Sequence, residues 1–124
     1  MDPIADLLTT IKKSIAVRKD RTVVPYSRLK VQILKILTAR AVIDHFEVKK
    51  ENNNQVIIVH LKNERKIYHL QRISKPGRRV YAKRHEIKMP PELGFVIIST
   101  TKGIIDGREA KKLGLGGEVI CQVW

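Results

Sequence analysis

The chain has 124 residues, 43% of them hydrophobic, and its 25 Lys and Arg against 12 Asp and Glu leave a formal charge of +13 with an isoelectric point near 10.2. No apolar run approaches the ~18 residues needed to cross a bilayer, and Met1-Asp2-Pro3 leads into a helical pattern without the layout of a signal or transit peptide, so a soluble protein working where it is made is expected. A balance this basic points first to a nucleic acid. A basic membrane-surface helix needs lysines and large apolar groups on opposite helix faces, and the most basic stretch reads instead as strand and turn.

Asp2 before Pro3 reads as an N-cap followed by a first-turn proline, and Ile4, Leu7, Leu8, Ile11 and Ile15 recur at helical spacing. Thr22-Val23-Val24 is a short β-prone segment closed by Pro25. Ser27 offers a second N-cap before Leu29, Ile33, Leu34, Ile36 and Leu37, with Arg28, Lys30 and Lys35 on the exposed face. A cation in the first turn opposes the helix dipole, so a phosphate near Lys30 would relieve a small cost. Ile43 to Lys49 and Val56 to Leu61 read as strands, joined through Glu51-Asn52-Asn53-Asn54 as a hairpin. The first half is therefore an αβαββ module, and the polar cluster Lys62, Asn63, Glu64, Arg65 marks its end.

From Arg65 to Arg84 there is no acid, and Arg65, Lys66, Arg72, Lys75, Arg78, Arg79, Lys83 and Arg84 fall within that stretch. Ile67 to Ile73 and Val80 to Lys83 read as strands joined through the turn Lys75-Pro76-Gly77. Pro90-Pro91 interrupts the chain before the strand Phe95 to Ile98. Asp106-Gly107-Arg108-Glu109 has capping-box spacing and opens a short helix ending near Gly114, followed by a closing strand from Val119 to Trp124. The fold class is α+β, with two small domains: residues 1–64 as the αβαββ module and 65–124 as a mostly antiparallel β domain with one short helix.

The apolar strand Phe95 to Ile98 runs into Ser99-Thr100-Thr101-Lys102-Gly103, three hydroxyls ending on a lysine and a glycine. No activating base accompanies them, so they read as a hydrogen-bonding loop for the sugars, phosphates and base edges of a nucleic acid, or equally as an ordinary strand-to-helix turn. Gly114-Leu115-Gly116-Gly117-Glu118 is ambiguous in the same way, and Val119 stands where a dinucleotide fingerprint needs glycine. Glu118 on a surface meant for phosphates makes sense as an acceptor from base amino or imino groups; the plain reading is a surface glutamate at a strand start. Tyr81, beside Arg78 and Arg79, is placed to stack on an unpaired base or a ribose. With 5% aromatics there is no repeated stacking platform, which argues against single-strand binding on an open sheet.

Cys121, the one cysteine, sits between apolar strand neighbours and reads as a buried, inert thiol in a reducing compartment. His45, His60, His69 and His85 stand at no metal-ligand spacing, so neither a metal nor a cofactor is expected. They read as structural or RNA-facing. An RNA-cleaving or RNA-modifying enzyme using a histidine with Glu86 or Glu118 is the alternative from another class.

Four blocks in order carry a resemblance over essentially the whole chain: Asp2-Pro3-Ile4-Ala5-Asp6-Leu7-Leu8-Thr9 with Ile11; Ser27-Arg28-Leu29-Lys30; Arg72-Ile73-Ser74-Lys75-Pro76-Gly77-Arg78-Arg79-Val80-Tyr81; and the tail from Gly94 to Trp124. Together they resemble the bacterial type of the small-subunit ribosomal protein S-eight family. The resemblance implies the same two-domain fold, no enzymatic activity, and direct binding to a bulged helix in the central domain of small-subunit ribosomal RNA that helps assemble the platform. It also implies neighbouring small-subunit proteins, S-five and S-twelve, a cytoplasmic ribosome (with an organelle-encoded one left open), and in some bacteria repression of the protein's own operon messenger RNA.

Carried over by position, the family's RNA loop falls on Ser99, Thr100, Thr101, Lys102 and Gly103, and its Gly-Gly-Glu element on Gly116, Gly117 and Glu118. Its RNA-contacting tyrosine falls on Tyr81, beside Arg79, and its helix-two lysine on Lys30. Thr101 stands where the family usually has serine, Arg78 where it often has leucine, and Asp106-Gly107 where it usually has a Thr-Asp pair.

Overall fold

A computed structural model describes residues 2–62, 69–88, 90 and 94–124. The chain divides into two compact units, Asp6–Ile67 and Tyr68–Trp124, the latter joined by Met1–Ala5. The sequence-based boundary at residues 64 and 65 lies outside the described residues.

α1 (Pro3–Ala16), which belongs to the first unit from Asp6 onward, buries Leu7, Leu8, Ile11 and Ile15, and α2 (Arg28–Ala39) buries Ile33, Leu34 and Leu37. Ser27 caps α2, its Oγ accepting from the Lys30 N–H at 3.1 Å. The strands β1 (Arg21–Pro25), β2 (His45–Glu51) and β3 (Asn54–His60) form an antiparallel sheet ordered β1-β3-β2. Val24, Ile57 and Val59 are buried on one of its faces. Asn52 and Asn53 both have positive φ, 47° and 68°, the backbone that a two-residue turn needs to match the strand twist.

Two sequence-based expectations change here. The second strand begins at His45 rather than Ile43; Ile43 is fully buried in the irregular segment after α2, where Ala41 turns the chain at φ 62°. Lys30 is not on the exposed face. It is 8% exposed, because it stands three and four residues before Ile33 and Leu34 and so continues the buried stripe, while Leu29 falls off it at 38%. The Lys30 Nζ donates to the Pro25 carbonyl at 3.1 Å.

Two of the histidines are used structurally. His45 pairs across the strands with His60, their rings stacked at 4.2 Å. His60 Nε2 lies 3.1 Å from Glu47 Oε1, and that hydrogen bond is the largest influence holding the Glu47 carboxyl below its ordinary value.

The second unit is built around β8 (Gly117–Val123), which pairs antiparallel with β6 (Phe95–Thr100) on one side. On the other side it takes β4 (Leu70–Arg72) and then β5 (Tyr81–Ala82). The segments on either side of Lys75-Pro76-Gly77 thus pair with successive stretches of β8; at the turn, the Lys75 N–H donates to the Arg78 carbonyl at 3.0 Å and the reverse bond is 2.9 Å. The expected strand from Ile67 begins outside the described residues, and beyond Arg72 the pairing with β8 continues through the Ile73 N–H to the Ile120 carbonyl at 3.0 Å and the Ser74 N–H to the Val119 carbonyl at 3.1 Å.

An additional strand, β7 (Gly103–Asp106), pairs with β6. It leads into α3 (Gly107–Leu113), capped by the Asp106 carboxylate on the Arg108 N–H at 3.0 Å and ended by Gly114 at φ 70°. Val96, Ile98, Ile87 and Ala110 form the core between the sheet and α3. His69 and Trp124 exchange backbone hydrogen bonds of 2.8 and 3.0 Å, and their rings stack at 5.0 Å.

A bulge between Ile97 and Ile98 leaves Ile120 without a partner on β6. Its carbonyl accepts from Arg72 Nη1 at 2.7 Å, and Arg72 Nε donates to the Asp2 carboxylate at 3.1 Å. The basic stretch therefore contains one arginine that is a structural brace.

Candidate nucleic-acid interface

The expected hydroxyl loop is the tip of a β-hairpin. Ser99 and Thr100 belong to β6, Thr101 and Lys102 form the turn, and Gly103 opens β7 at φ 105°, a backbone that glycine tolerates and side chains resist. The difference has a simple origin: threonine is β-branched and sits well in strands, and Ile104 and Ile105 supply a partner for the strand that precedes it.

Within the hairpin the three hydroxyls are not equivalent. Thr100 Oγ1 donates to the Gly103 carbonyl at 2.8 Å and accepts from the Lys102 N–H at 3.1 Å, so it holds the turn's shape. Ser99 and Thr101 have no side-chain partner among the described residues and keep their hydroxyls available. Thr101 and Lys102 are exposed.

Strand register brings three of the expected residues into one row. Ser99 pairs with Glu118, and Glu118 with Tyr81, so a hydroxyl, a carboxylate and a phenol stand side by side on one sheet face. Tyr81 is 70% exposed, an unusual exposure for a ring and one suited to stacking.

Glu118 is already engaged. Its Oε2 accepts from the Ser74 hydroxyl and from Arg79 Nη1 at 3.1 Å, whereas Oε1 has no partner among the described residues. Arg79 thus neutralises the carboxylate as well as offering the rest of its guanidinium outward. Around this row Lys75, Arg78, Lys83 and Arg84 are exposed, giving a positive rim.

Gly116 and Gly117 have a structural reason to be glycine. A Cβ on Gly117 would stand 2.0 Å from the Ser99 carbonyl oxygen, and one on Gly116 would stand 2.5 Å from that of Ala82. They let β8 approach both neighbours closely enough to form the row. Lys30, the remaining expected residue, belongs to the other unit, with its ammonium on the Pro25 carbonyl.

Sequence reasoning missed Ser74 as a site residue. It is fully buried, and its hydroxyl accepts from the Val80 N–H at 3.2 Å while contacting Glu118. The signal was a serine directly before Lys-Pro-Gly, where a hydroxyl reads as turn chemistry.

For the alternative enzyme, Glu86 Oε1 is occupied by the Lys83 N–H at 2.9 Å and Glu118 by Ser74 and Arg79. The described residues hold no group of three or more His, Cys, Asp or Glu able to bind a metal ion. Among the described residues no helix is long and apolar enough to cross a membrane.

Comparison with known proteins gives a consistent result. The family described as Ribosomal protein S8 matches residues 2–124. The small ribosomal subunit protein uS8 of Thermus aquaticus is 44% identical over 135 residues, covering 99% of this chain and 98% of its own length. The protein of the same name from Clostridium kluyveri is 45% identical over 128 residues, with coverages of 99% and 97%. That of Thermodesulfovibrio yellowstonii is 41% identical over 128 residues, with coverages of 99% and 98%.

Proposed function

The chain belongs to the ribosomal protein S8 family, and from that premise we propose that it binds the central domain of small-subunit ribosomal RNA through its C-terminal surface and helps assemble the platform. It is a structural constituent of the small ribosomal subunit, located on the ribosome with ribosomal RNA and ribosomal proteins as its partners. The observation that carries the finer reading is the cross-strand row Ser99, Glu118 and Tyr81 beside the exposed Thr101-Lys102 turn.

Each part of that surface has a distinct task. The hairpin tip offers hydroxyls and backbone to sugars and phosphates. Tyr81 offers a ring face to an unpaired base, and Glu118 Oε1 offers an acceptor to a base amino or imino proton. Lys75, Arg78, Arg79, Lys83, Arg84 and Lys102 neutralise phosphates. In this division of labour residues 65–124 form the RNA-reading domain and 1–64 the supporting one. Lys30, braced on the Pro25 carbonyl, contributes its charge to a phosphate at the start of α2. Neighbouring small-subunit proteins, S-five and S-twelve among them, share the assembled site.

Nucleotide-resolution footprinting on small-subunit RNA tests the reading. Protection is expected within the central domain and should weaken with Tyr81→Ala; protection confined to other domains, or none, overturns it. The same surface would serve binding of the protein's own operon messenger RNA. Sedimentation separates the two roles, since a ribosomal constituent travels with small subunits and a free-standing repressor does not.

A further inference from the structure

We propose that Ser74 is a positioning residue that sets base selectivity at this surface by aiming the Glu118 carboxylate; the assignment rests on the RNA-binding reading above. Ser74 is 0% exposed, so it touches no RNA itself. Its single hydroxyl nevertheless bonds both the Glu118 carboxylate and the N–H of Val80, the residue before Tyr81.

The direction of each bond follows from the chemistry of the partners. The Val80 N–H can only donate, so Ser74 Oγ accepts from it, at 3.2 Å. An ionised carboxylate can only accept, so the hydroxyl proton goes to Glu118 Oε2. One hydroxyl therefore fixes the amide next to Tyr81 and the carboxylate paired with Tyr81 across the strands. The backbone reinforces the arrangement: the Ser74 N–H donates to the Val119 carbonyl at 3.1 Å, and the Val119 N–H to the Val80 carbonyl at 2.9 Å.

Glu118 is consequently held by one oxygen only. Ser74 holds Oε2 from the buried side, Arg79 Nη1 approaches the same atom at 3.1 Å from the exposed side, and Oε1 is left to accept from a base. Arg79 alone is a poor anchor, being a long side chain that is 47% exposed and drawn to any nearby phosphate. When RNA engages Arg79, Ser74 is the tether that keeps Oε1 aimed. Ser74 acts on orientation and not on charge, because removing the hydroxyl leaves every cation of the rim in place.

The test measures binding of the full chain to central-domain RNA and to a series of singly substituted RNAs, for wild type, Ser74→Ala, Glu118→Ala and the double variant. Ser74→Ala is expected to lower discrimination at one base position on the order of tenfold, with an unchanged salt dependence. In the Glu118→Ala background the same change should have no further effect on discrimination. Equal losses on matched and substituted RNAs, or losses that add to those of Glu118→Ala, overturn the assignment.

Glu118→Gln provides a second measurement if Ser74→Ala fails to fold. Its amide keeps one oxygen for Ser74 and replaces the other with a donor, so discrimination at that base should collapse, and unchanged discrimination overturns the proposal. Failure of the wild-type chain to bind the central domain removes the RNA-binding reading and this assignment with it. That result is distinct from wild-type binding with an uncoupled Ser74.

Discussion

Asp2 shows how much one side chain near a chain end can do. Its Oδ1 accepts from the Ile4 and Ala5 N–H groups, each at 3.2 Å, capping α1, while Oδ2 takes the Arg72 guanidinium at 3.1 Å. Partial burial by itself raises the carboxyl, but the Ala5 hydrogen bond and the Arg72 contact outweigh it and hold Asp2 below its ordinary value of 3.8. A carboxylate held low in the fold contributes stability that is fully present above that ordinary value and is lost as pH falls through the lower folded one. Asn caps a helix as well as Asp, so Asp2→Asn removes only the ion pair with Arg72; it should destabilise the protein by up to about 1 kcal/mol at neutral pH, and its unfolding curve should converge with that of the wild type in strong acid. A difference that persists unchanged below pH ~2 would show that ionisation is not the source. Cys121 gives a second prediction. Burial pushes its thiol up to about 12, against a smaller lowering by Arg72, so a thiol reagent at pH ~8 should label it in denaturant and leave it unmodified in the native state.

Among the elements, β8 decides the architecture, since β4, β5 and β6 all pair with it. Its two glycines are the cost of that density. Gly117→Ala would place a methyl group against the Ser99 carbonyl, which must move or force the strands apart, and a loss of at least about 2 kcal/mol is expected by denaturant unfolding. A variant as stable as wild type would mean that β6 can yield locally. The same element shows what the sequence conceals. The helices were legible, because Asp2, Ser27 and Asp106 cap them and Gly114 ends α3. The Asn52-Asn53 turn was legible too. β7 was not, because Gly-Ile-Ile-Asp is too short for a period to register. The successive pairing of β4 and β5 with β8 was hidden for another reason: a turn signal says that the chain reverses, not which strand it reverses onto.

For the whole molecule the governing quantity is the excess positive charge. Under the proposed RNA-binding reading six exposed cations of the second unit neutralise phosphates: Lys75, Arg78, Arg79, Lys83, Arg84 and Lys102. If about six phosphates are neutralised, filter binding to central-domain RNA should give a log-log salt slope of about −4 to −5. A flat dependence would count against phosphate contact at this surface. Arg72 is excluded from the tally although it belongs to the same acid-free run, because Asp2 and the Ile120 carbonyl already hold it. Lys30 belongs to the first unit and stands outside this count of six; the sequence announces its charge and not its burial.

By itself the sequence determined the α+β class, the capped helices, the basic character and the family resemblance, all of which depend on residues near one another in the chain or on summed composition. Tertiary structure alone decided that Ser99, Glu118 and Tyr81 share one row, and that Ser74 and Arg79 hold the carboxylate by one oxygen. It also decided that Gly116 and Gly117 are demanded by strand approach and that Thr100 spends its hydroxyl on its own turn. The division has a physical basis. Helix caps and turns are settled by bonds spanning two to four residues, whereas Ser74 and Glu118 are 44 residues apart and meet only after strand register has set which side chains face each other.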